Sequence, residues 1–596
     1  MRIRIALALA ASALVILASA GTATAALTVA NQNDSGPGSL RQTVAEAGPG
    51  ETINVPAGTY TLTSAPLVIM KSLNISGAGS ATTIIRAGAP DINVLTLIGP
   101  LESTTSATIS GVTIRDGNIV GNSSFGGGIV SVNANLTLRG VSITGNTANA
   151  NAPPGLPGGQ AEGAGAISIG GEFNLFESSI TNNVATAIGG SGAAGGGAAG
   201  AGLIVVGPLR IENSTVRGNL ADGRGGQGPP DSDQDGGTAS GAGIIVINNE
   251  TAPATIAGST ISGNVADASS GPGGSGGAVA GGGLLDVSNA VPVSVTNTTV
   301  AGNVARSPGA GSEPGAGGGI LTVANAAGSF SFLSTTISGN RLETANPTSL
   351  GGNLFSTGAG ASTFRNTIVA NGAGATGSEN CAVGPGVSVT SLGFNIDSLD
   401  QCNFKAPGDL FNTDPLLGPL ALNGGPTQTM APAIGSPAID KGSAFGLSAD
   451  QRGIVRPIDL PSIPNSAAAG ADGSDIGAVE LQPSNAFSLG KLTRNKKKGT
   501  ATLAVLLPQP SAGTLTLTGK GLKTQTLQIA GESEVKVKVA AKSKAIKKAL
   551  RRRGKRKVGI NVTYAPTGNS AATQSRKAKL VKKKKRKKKR AGSGTR

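Results

Sequence analysis

One phrase constrains this chain more than any other feature. Ser-Thr-Ile-Ser-Gly-Asn, as written at 259–264, recurs in variant form eight times. The copies end at Asn118, Asn146, Asn183, Asn219, Asn264, Asn303, Asn340 and Asn371, at intervals of 28, 37, 36, 45, 39, 37 and 31 residues. Inside most intervals, small residues lead into a short apolar run, at 126–132, 163–169, 200–206, 241–247, 281–287 and 317–323. Two phrases in fixed order mark a repeat fold whose units bury their apolar faces against their neighbours. A third alternating run lies between them, such as Asn135-Leu136-Thr137-Leu138 or Pro208-Leu209-Arg210-Ile211. Period-two alternation rich in Ile, Val, Leu and Thr reads as strand, and no helical periodicity competes with it here. Three short strands per unit, each unit stacked on the last, predict an all-β chain: a single-stranded parallel β-helix. At a strand spacing of about 4.8 Å, about ten coils make a rod roughly 50 Å long.

The recurring Asn fits a corner. Asn tolerates left-handed backbone angles and bonds its own chain at sharp bends. Stacked corner Asn residues can also bond one another up the rod. The alternative is a row of ligand-binding amides.

Residues 1–25 read as a secretory signal: Arg2 and Arg4, an apolar stretch at 5–20, then Ala23-Thr24-Ala25. A membrane anchor would need a longer, less alanine-rich run, and no later stretch is apolar enough to span a bilayer. The expected protein is exported, extracellular or surface-associated, and monomeric. Glycine supplies 94 of 596 residues and aromatics only 2%, so aliphatic stacks must build the core. The glycine clusters at 189–202 and 271–283 are expected to be flexible loops leaving the rod's edge. The net charge of +17 conceals a split. Residues 491–596 hold 32 of the 49 Lys and Arg but only 2 of the 32 Asp and Glu. An acidic rod therefore carries a strongly basic end, which points to an acidic partner and leaves the fold open.

At 39–47 one short helix is expected, capped by Ser39 with Gln42 three places on. It would cover the unpaired strand edges at the rod's first coil. The surrounding Gly38-Ser39-Leu40-Arg41-Gln42 resembles the opening segment of bacterial β-helix surface proteins named for the letters CSLREA. The family's Cys is Gly38 here and its Glu is Gln42. The resemblance implies an extracellular right-handed β-helix of the pectate-lyase-like kind and no particular activity.

Two cysteines, Cys381 and Cys402, are the chain's entire complement. In an exported protein they read most simply as a disulfide. Closing such a loop is worth roughly 3 kcal/mol in the chain-entropy model. Two free thiols or half a metal site are the alternatives. Asp414-Pro415-Leu416-Leu417-Gly418, Asn423-Gly424-Gly425-Pro426-Thr427, Gly435-Ser436-Pro437-Ala438-Ile439-Asp440, Asp450-Gln451-Arg452-Gly453 and Asp475-Ile476-Gly477-Ala478-Val479-Glu480 follow in order. Together with the cysteine segment they resemble the choice-of-anchor Q domain of bacterial surface proteins. In that family a variable means of envelope attachment follows. Asp440, Asp450, Arg452 and Glu480 read as an ion-paired network closing the last coil, or else as a binding site.

Alternation resumes in about seven short runs at 487–580, interrupted by one cationic helix at 541–553 before Gly554. Seven strands in under 100 residues suggest an immunoglobulin-like β-sandwich. Lys582, Lys583, Lys584, Lys585, Arg586, Lys587, Lys588, Lys589 and Arg590 then form an unbroken basic run, expected to be disordered. Such a run binds polyanions with steep salt dependence. With few aromatics to stack bases it resembles no nucleic-acid recognition module, and for an exported protein the expected partners are cell-envelope polyanions, anionic lipid or extracellular DNA. A merely solubilising tail is the alternative. The expected divisions are 1–25, signal; 26–350, β-helix with glycine-rich excursions; 351–483, the anchor-Q-like end; 484–581, sandwich; and 582–596, tail.

The fold hosts polysaccharide hydrolases and lyases, so catalysis must be weighed. Hydrolases need paired carboxylates at defined separation. This chain offers no such pair and no His, and its rod cations are scattered; Arg115 and Arg217 share one place in the repeat, with Asp116 beside the first. No catalytic residue is assigned. Asp231, Asp233 and Asp235, before Gly236, begin like a calcium loop, yet its twelfth position is Ala242 rather than Glu. Calcium is therefore the one cofactor the sequence suggests. The expected function is an adhesion or recognition surface retained at the envelope by the basic region, with a polysaccharide or protein ligand on the rod. A polysaccharide lyase or hydrolase is the alternative.

Overall fold

A computed structural model describes residues 26–100, 105–229, 233–248, 252–288, 291–324 and 329–583. The expected signal at 1–25, Asp231, and the basic run from Lys584 to Arg590 lie outside the described residues. From residue 27 to 411 the chain winds as a parallel β-helix. Coil by coil it contributes to stacked parallel sheets, the walls I to V.

In a middle coil the strands run Leu203–Val206 (wall I), Leu209–Glu212 (wall II), Thr215–Arg217 (wall III), Leu220–Asp222 (wall IV) and Thr238–Ser240 (wall V). Walls II and III each contain 12 strands, wall I 10, wall IV 7 and wall V 5. The expected three strands per unit are walls I to III. Wall IV is built from residues directly after the recurring Asn position, and wall V takes in the stretches at 189–202 and 271–283 expected to be flexible glycine-rich loops; this expectation is corrected. Gly197–Ala199 and Ala278–Ala280 are strands of wall V. The composition argument judged each loop alone, but each one stacks on its neighbour. Gly190 N donates to Leu156 O, Gly226 N to Ala193 O and Gly271 N to Gln234 O. Small side chains then build a second core from Ala148, Ala185, Ala198, Ala221, Ala239 and Ala266, all fully buried.

The recurring phrase encodes two corners with a three-residue strand between them. Thr260–Ser262 is the strand in 259–264. Ahead of it, Gly258 has φ 61° and Ser259 follows; behind it, Gly263 has φ 59° and Asn264 follows. Equivalent left-handed residues elsewhere are Asn213, Asn297 and Ser334 before the strand, and Asn182, Gly218 and Gly339 after it. Gly, Asn and other short polar residues reach this conformation at least cost. Inward aliphatics then stack in register. Ile143, Ile180, Val216, Ile261, Val300 and Ile337 form one such column on wall III, all buried.

Both ends are plugged. The helix Leu40–Glu46 forms where expected, with the Ser39 hydroxyl accepting from Gln42 N at 3.2 Å. Leu40, Thr43 and Val44 face the first coil. Arg41 rivets the helix to the rod: its guanidinium donates to Pro66 O (2.6 Å) and Ala65 O (2.7 Å), and it pairs with Asp34. Burial opposes a charge on Asp34. Arg41 and the four donors of Thr63 and Ser64 outweigh that and hold its carboxyl well below the usual range. At the far end Phe330, Phe332, Phe364 and Phe404 stack with centroids 4.8–5.1 Å apart. Cys381 and Cys402 form the expected disulfide beside them.

Residues 488–581 form two antiparallel sheets around one core, with all seven expected strands present. Ser488–Asn495, Thr500–Leu506 and Glu534–Val539 make one sheet. Gln525–Ala530, Ala512–Thr518, Lys555–Pro566 and Ala572–Val581 make the other. The helix is shorter than expected, Lys544–Arg553, capped by Ser543 and ended by left-handed Gly554.

Candidate functional site

Three groups of polar side chains stand out along the rod: two internal ladders, a returning strap, and the carboxylates the strap carries. The first ladder is the Asn row. Asn146, Asn183, Asn219, Asn264, Asn303 and Asn340 are fully buried. Each Nδ2 donates to the Oδ1 of the next at 2.9–3.0 Å. Each Oδ1 from Asn183 onward also accepts a backbone N–H from the coil before it, as Asn264 does from Asn219 N. These side chains separate the aliphatic core from the alanine core. Gly202 faces Asn219 so closely that an added Cβ would lie 2.9 Å from its Nδ2. With no open face, the row serves the corner rather than a ligand.

Asn118 and Asn371 stand outside the row. In register, Gly117 and Gly372 occupy the ladder position, so Asn118 falls one residue late and Asn371 one residue early, at φ 55°. The ladder continues instead through Asn353 and Asn380, which enter from wall I. A second ladder went unread in the sequence. Ser178, Ser214, Ser259 and Thr298 each accept, through the side-chain hydroxyl, the backbone N–H of the corner residue one coil earlier. The signal was present in the first letter of the repeated phrase.

The segment 414–481, expected to close the last coil, instead returns along the outward face of wall III. Ala478 N donates to Thr336 Oγ1 at 3.1 Å. Gln451 Nε2 donates to Ser259 O at 2.9 Å and its Oε1 accepts from Thr299 Oγ1 at 2.6 Å. Further back, Thr260 Oγ1 donates to Gln428 O and Arg217 to Gln428 Oε1. This strap buries the outward Thr260, Thr299 and Thr336. Ahead of it, outward Ser142, Thr144, Ser179 and Thr181 stay partly exposed and bond one another along the rod.

The strap also carries the densest group of ionisable side chains. Asp450 is held by the Arg452 guanidinium (2.7 and 2.9 Å) and accepts from Glu480 N, Arg452 N and Ile454 N. Glu480 accepts from Asp475 N and Ile458 N. Its Oε1 lies 3.1 Å from Arg456 Nε, near enough for an ion pair but not aligned for a hydrogen bond. Asp475 accepts from Asp440 N and Leu481 N, and Asp440 from Leu460 N. Burial pushes all three carboxyls up, Asp440 to about 7. Arg456 pairs with Glu480, while the like charges of Asp440, Asp475 and Glu480 add to burial in opposing one another's ionisation. Groups titrating near neutrality suit acid–base chemistry, but here every member is buried and nearly every oxygen is committed to a backbone N–H. The arrangement fastens the strap.

The other candidates are dispersed. Asp116 pairs with both Arg86 and Arg115 on exposed wall III, while Arg217 is drawn to the strap. Asp233 and Asp235 are exposed, and Asp235 Oδ1 accepts from Ser275 N at 2.6 Å. Among the described residues no three His, Cys, Asp or Glu side chains gather as a metal site, and no helix is long and apolar enough to cross a membrane. Lys582 and Lys583 are exposed or partly so at the sandwich's end, their backbone N–H groups donating to Gly554 O and Lys496 O.

No protein-family model matches the chain, and no curated protein matches it. Among solved structures, ORF18 of Geobacillus virus E2 is 10% identical, covering 87% of this chain and 78% of its own, with a TM-score of 0.19.

Proposed function

We propose that this chain is an exported bacterial surface protein whose rod displays an adhesion or recognition surface, retained at the envelope by its basic C-terminal region. The observation that carries this reading is the division of polar groups. Buried polar side chains serve ladders and strap, while the exposed stretch of wall III presents a hydroxyl array at 142–181. A disulfide fits an oxidising compartment. Further support comes from residues behind the two family resemblances. Leu40 and Arg41 of the CSLREA-like segment cap and rivet the first coil. Asp450, Arg452, Asp475 and Glu480 of the anchor-Q-like segment lock the strap. Right-handed coiling belongs to the same reading.

Incubating the full exported chain with a panel of envelope and plant polysaccharides tests it. Retention of at least one glycan without shortened or unsaturated products is expected. One observation favours a second reading, a polysaccharide lyase or hydrolase: the Arg86–Asp116–Arg115 group lies on the uncovered part of wall III. Products that vanish in Arg115→Ala would put that reading first.

A further inference from the structure

The basic region is more than a tail. Where strand Ser488–Asn495 meets strand Ala572–Val581, a groove of about 460 Å³ is lined by Lys491, Arg494, Lys557, Arg576, Lys577 and Lys579. Leu492 and Ala578 complete the lining, so every ionisable group in the groove is a cation. The sandwich's ion pair among the described residues, Lys536 with Glu534, lies outside it. Lys557 stands directly opposite Lys579 in the antiparallel register, a placement that costs stability unless an anion sits between them. The two arginines are pre-positioned. Arg494 Nε donates to Lys579 O at 2.9 Å, and Arg576 donates to Gly490 O. Each keeps further N–H groups free for a ligand, since a guanidinium carries five.

We propose that this groove binds a linear phosphate polymer without bases, such as a polyol-phosphate chain of the envelope. The inference rests on the retention reading above and gives it a defined site. Alternate residues on one strand face lie roughly 6–7 Å apart, so Lys577 and Lys579 offer successive cations to successive phosphates. Nucleic acid fits less well, because single strands bind on aromatic faces and the sandwich's Phe487 and Tyr564 are buried.

The test uses the full exported chain and linear inorganic polyphosphate, with affinity measured from 0.05 to 0.5 M salt (roughly the range over which polyanion affinity falls steeply). Lys577→Gln with Lys579→Gln should weaken binding about tenfold and lower the log–log salt slope by about 1.4, at about 0.7 per phosphate contact. The equal charge change on the helix, Lys547→Gln with Lys548→Gln, should change affinity less than twofold. Equal losses from the two pairs would overturn the groove and leave retention to diffuse charge. Loss of binding only on ending the chain at residue 583 would also overturn it and assign retention to the tail. Tighter binding of oligothymidylate than of polyphosphate of equal charge would overturn it in favour of nucleic acid. No binding by the wild type even at low salt would defeat both the groove and the retention reading.

Discussion

Asp286 is an acid inside the rod. It occupies an inward column of wall I, in register with Val246 before it and Thr322 after it. It is 1% exposed; the Ser288 hydroxyl donates to its Oδ1 at 2.6 Å, and its Oδ2 has no partner among the described residues. Burial pushes its carboxyl up to about 7 from 3.8, against the weaker pull of Ser288. A folded-state value above the unfolded one means that the group's contribution is complete below about pH 4. It is then lost as pH rises to about 7. Three units at about 1.36 kcal/mol each give about 4 kcal/mol. Asp286→Val, which repeats the residue one coil earlier at nearly the same volume, removes this dependence. Thermal melts of both proteins at pH 4, 6 and 8 measure it. The variant's advantage in Tm should be small at pH 4 and reach roughly 5 °C at pH 8. Asp440, Asp475 and Glu480 shift in the same direction and lower both proteins alike, so the difference isolates Asp286. An advantage independent of pH, or a variant less stable at pH 8, would refute the reasoning.

Asn264→Ala removes a side chain that accepts from Asn219 N and Nδ2 and donates to Val216 O and Asn303 Oδ1. Leaving those partners buried and unpaired should cost about 3–5 kcal/mol, with faster amide exchange at Asn219 than in distant coils. A calcium ion taken by Asp231, Asp233 and Asp235 gives a calorimetric binding heat that Asp233→Ala abolishes; equal heats from both proteins dismiss the site.

Much of this fold was legible because a strand's side chains alternate and a coil repeats. The register at the ends was not. The left-handed corner accepts Asp116, Gly145, Asn182 or Asn371 alike, so an Asn there looks like the ladder Asn one residue later. The ordered excursions were hidden for a different reason. Their glycines bury little apolar area singly, and only the neighbouring coil supplies the backbone partners that hold them. The strap has no periodicity at all. Its sequence is turns, and its anchoring groups, Thr427, Gln428 and Gln451, are complementary to hydroxyls and backbone carbonyls along wall III between 152 and 192 residues earlier. The order of the charged motifs grouped residues such as Asp450 and Glu480, which bond through Glu480 N and the Asp450 carboxylate, but carried no sign of which surface they fasten.

The Asn ladder also explains the chemistry of the rod's exit. Every amide in it points the same way, with Nδ2 donating toward the C-terminal coils, so the row ends on an unsatisfied donor unless an acceptor receives it. A further Asn would accept that bond and present another donor. A carboxylate accepts without donating. Asn380 Nδ2, the last donor of the row, meets Asp397 Oδ1 at 2.6 Å. Asp397 also accepts from Leu399 N, Gln401 N and Cys402 N. Cys381 follows the last Asn, and its partner Cys402 is one of the residues Asp397 holds. The disulfide therefore fixes the terminating acceptor against the end of the row. The departure from Asn to Asp after eight Asn residues is what a one-way hydrogen-bonded column requires where it stops.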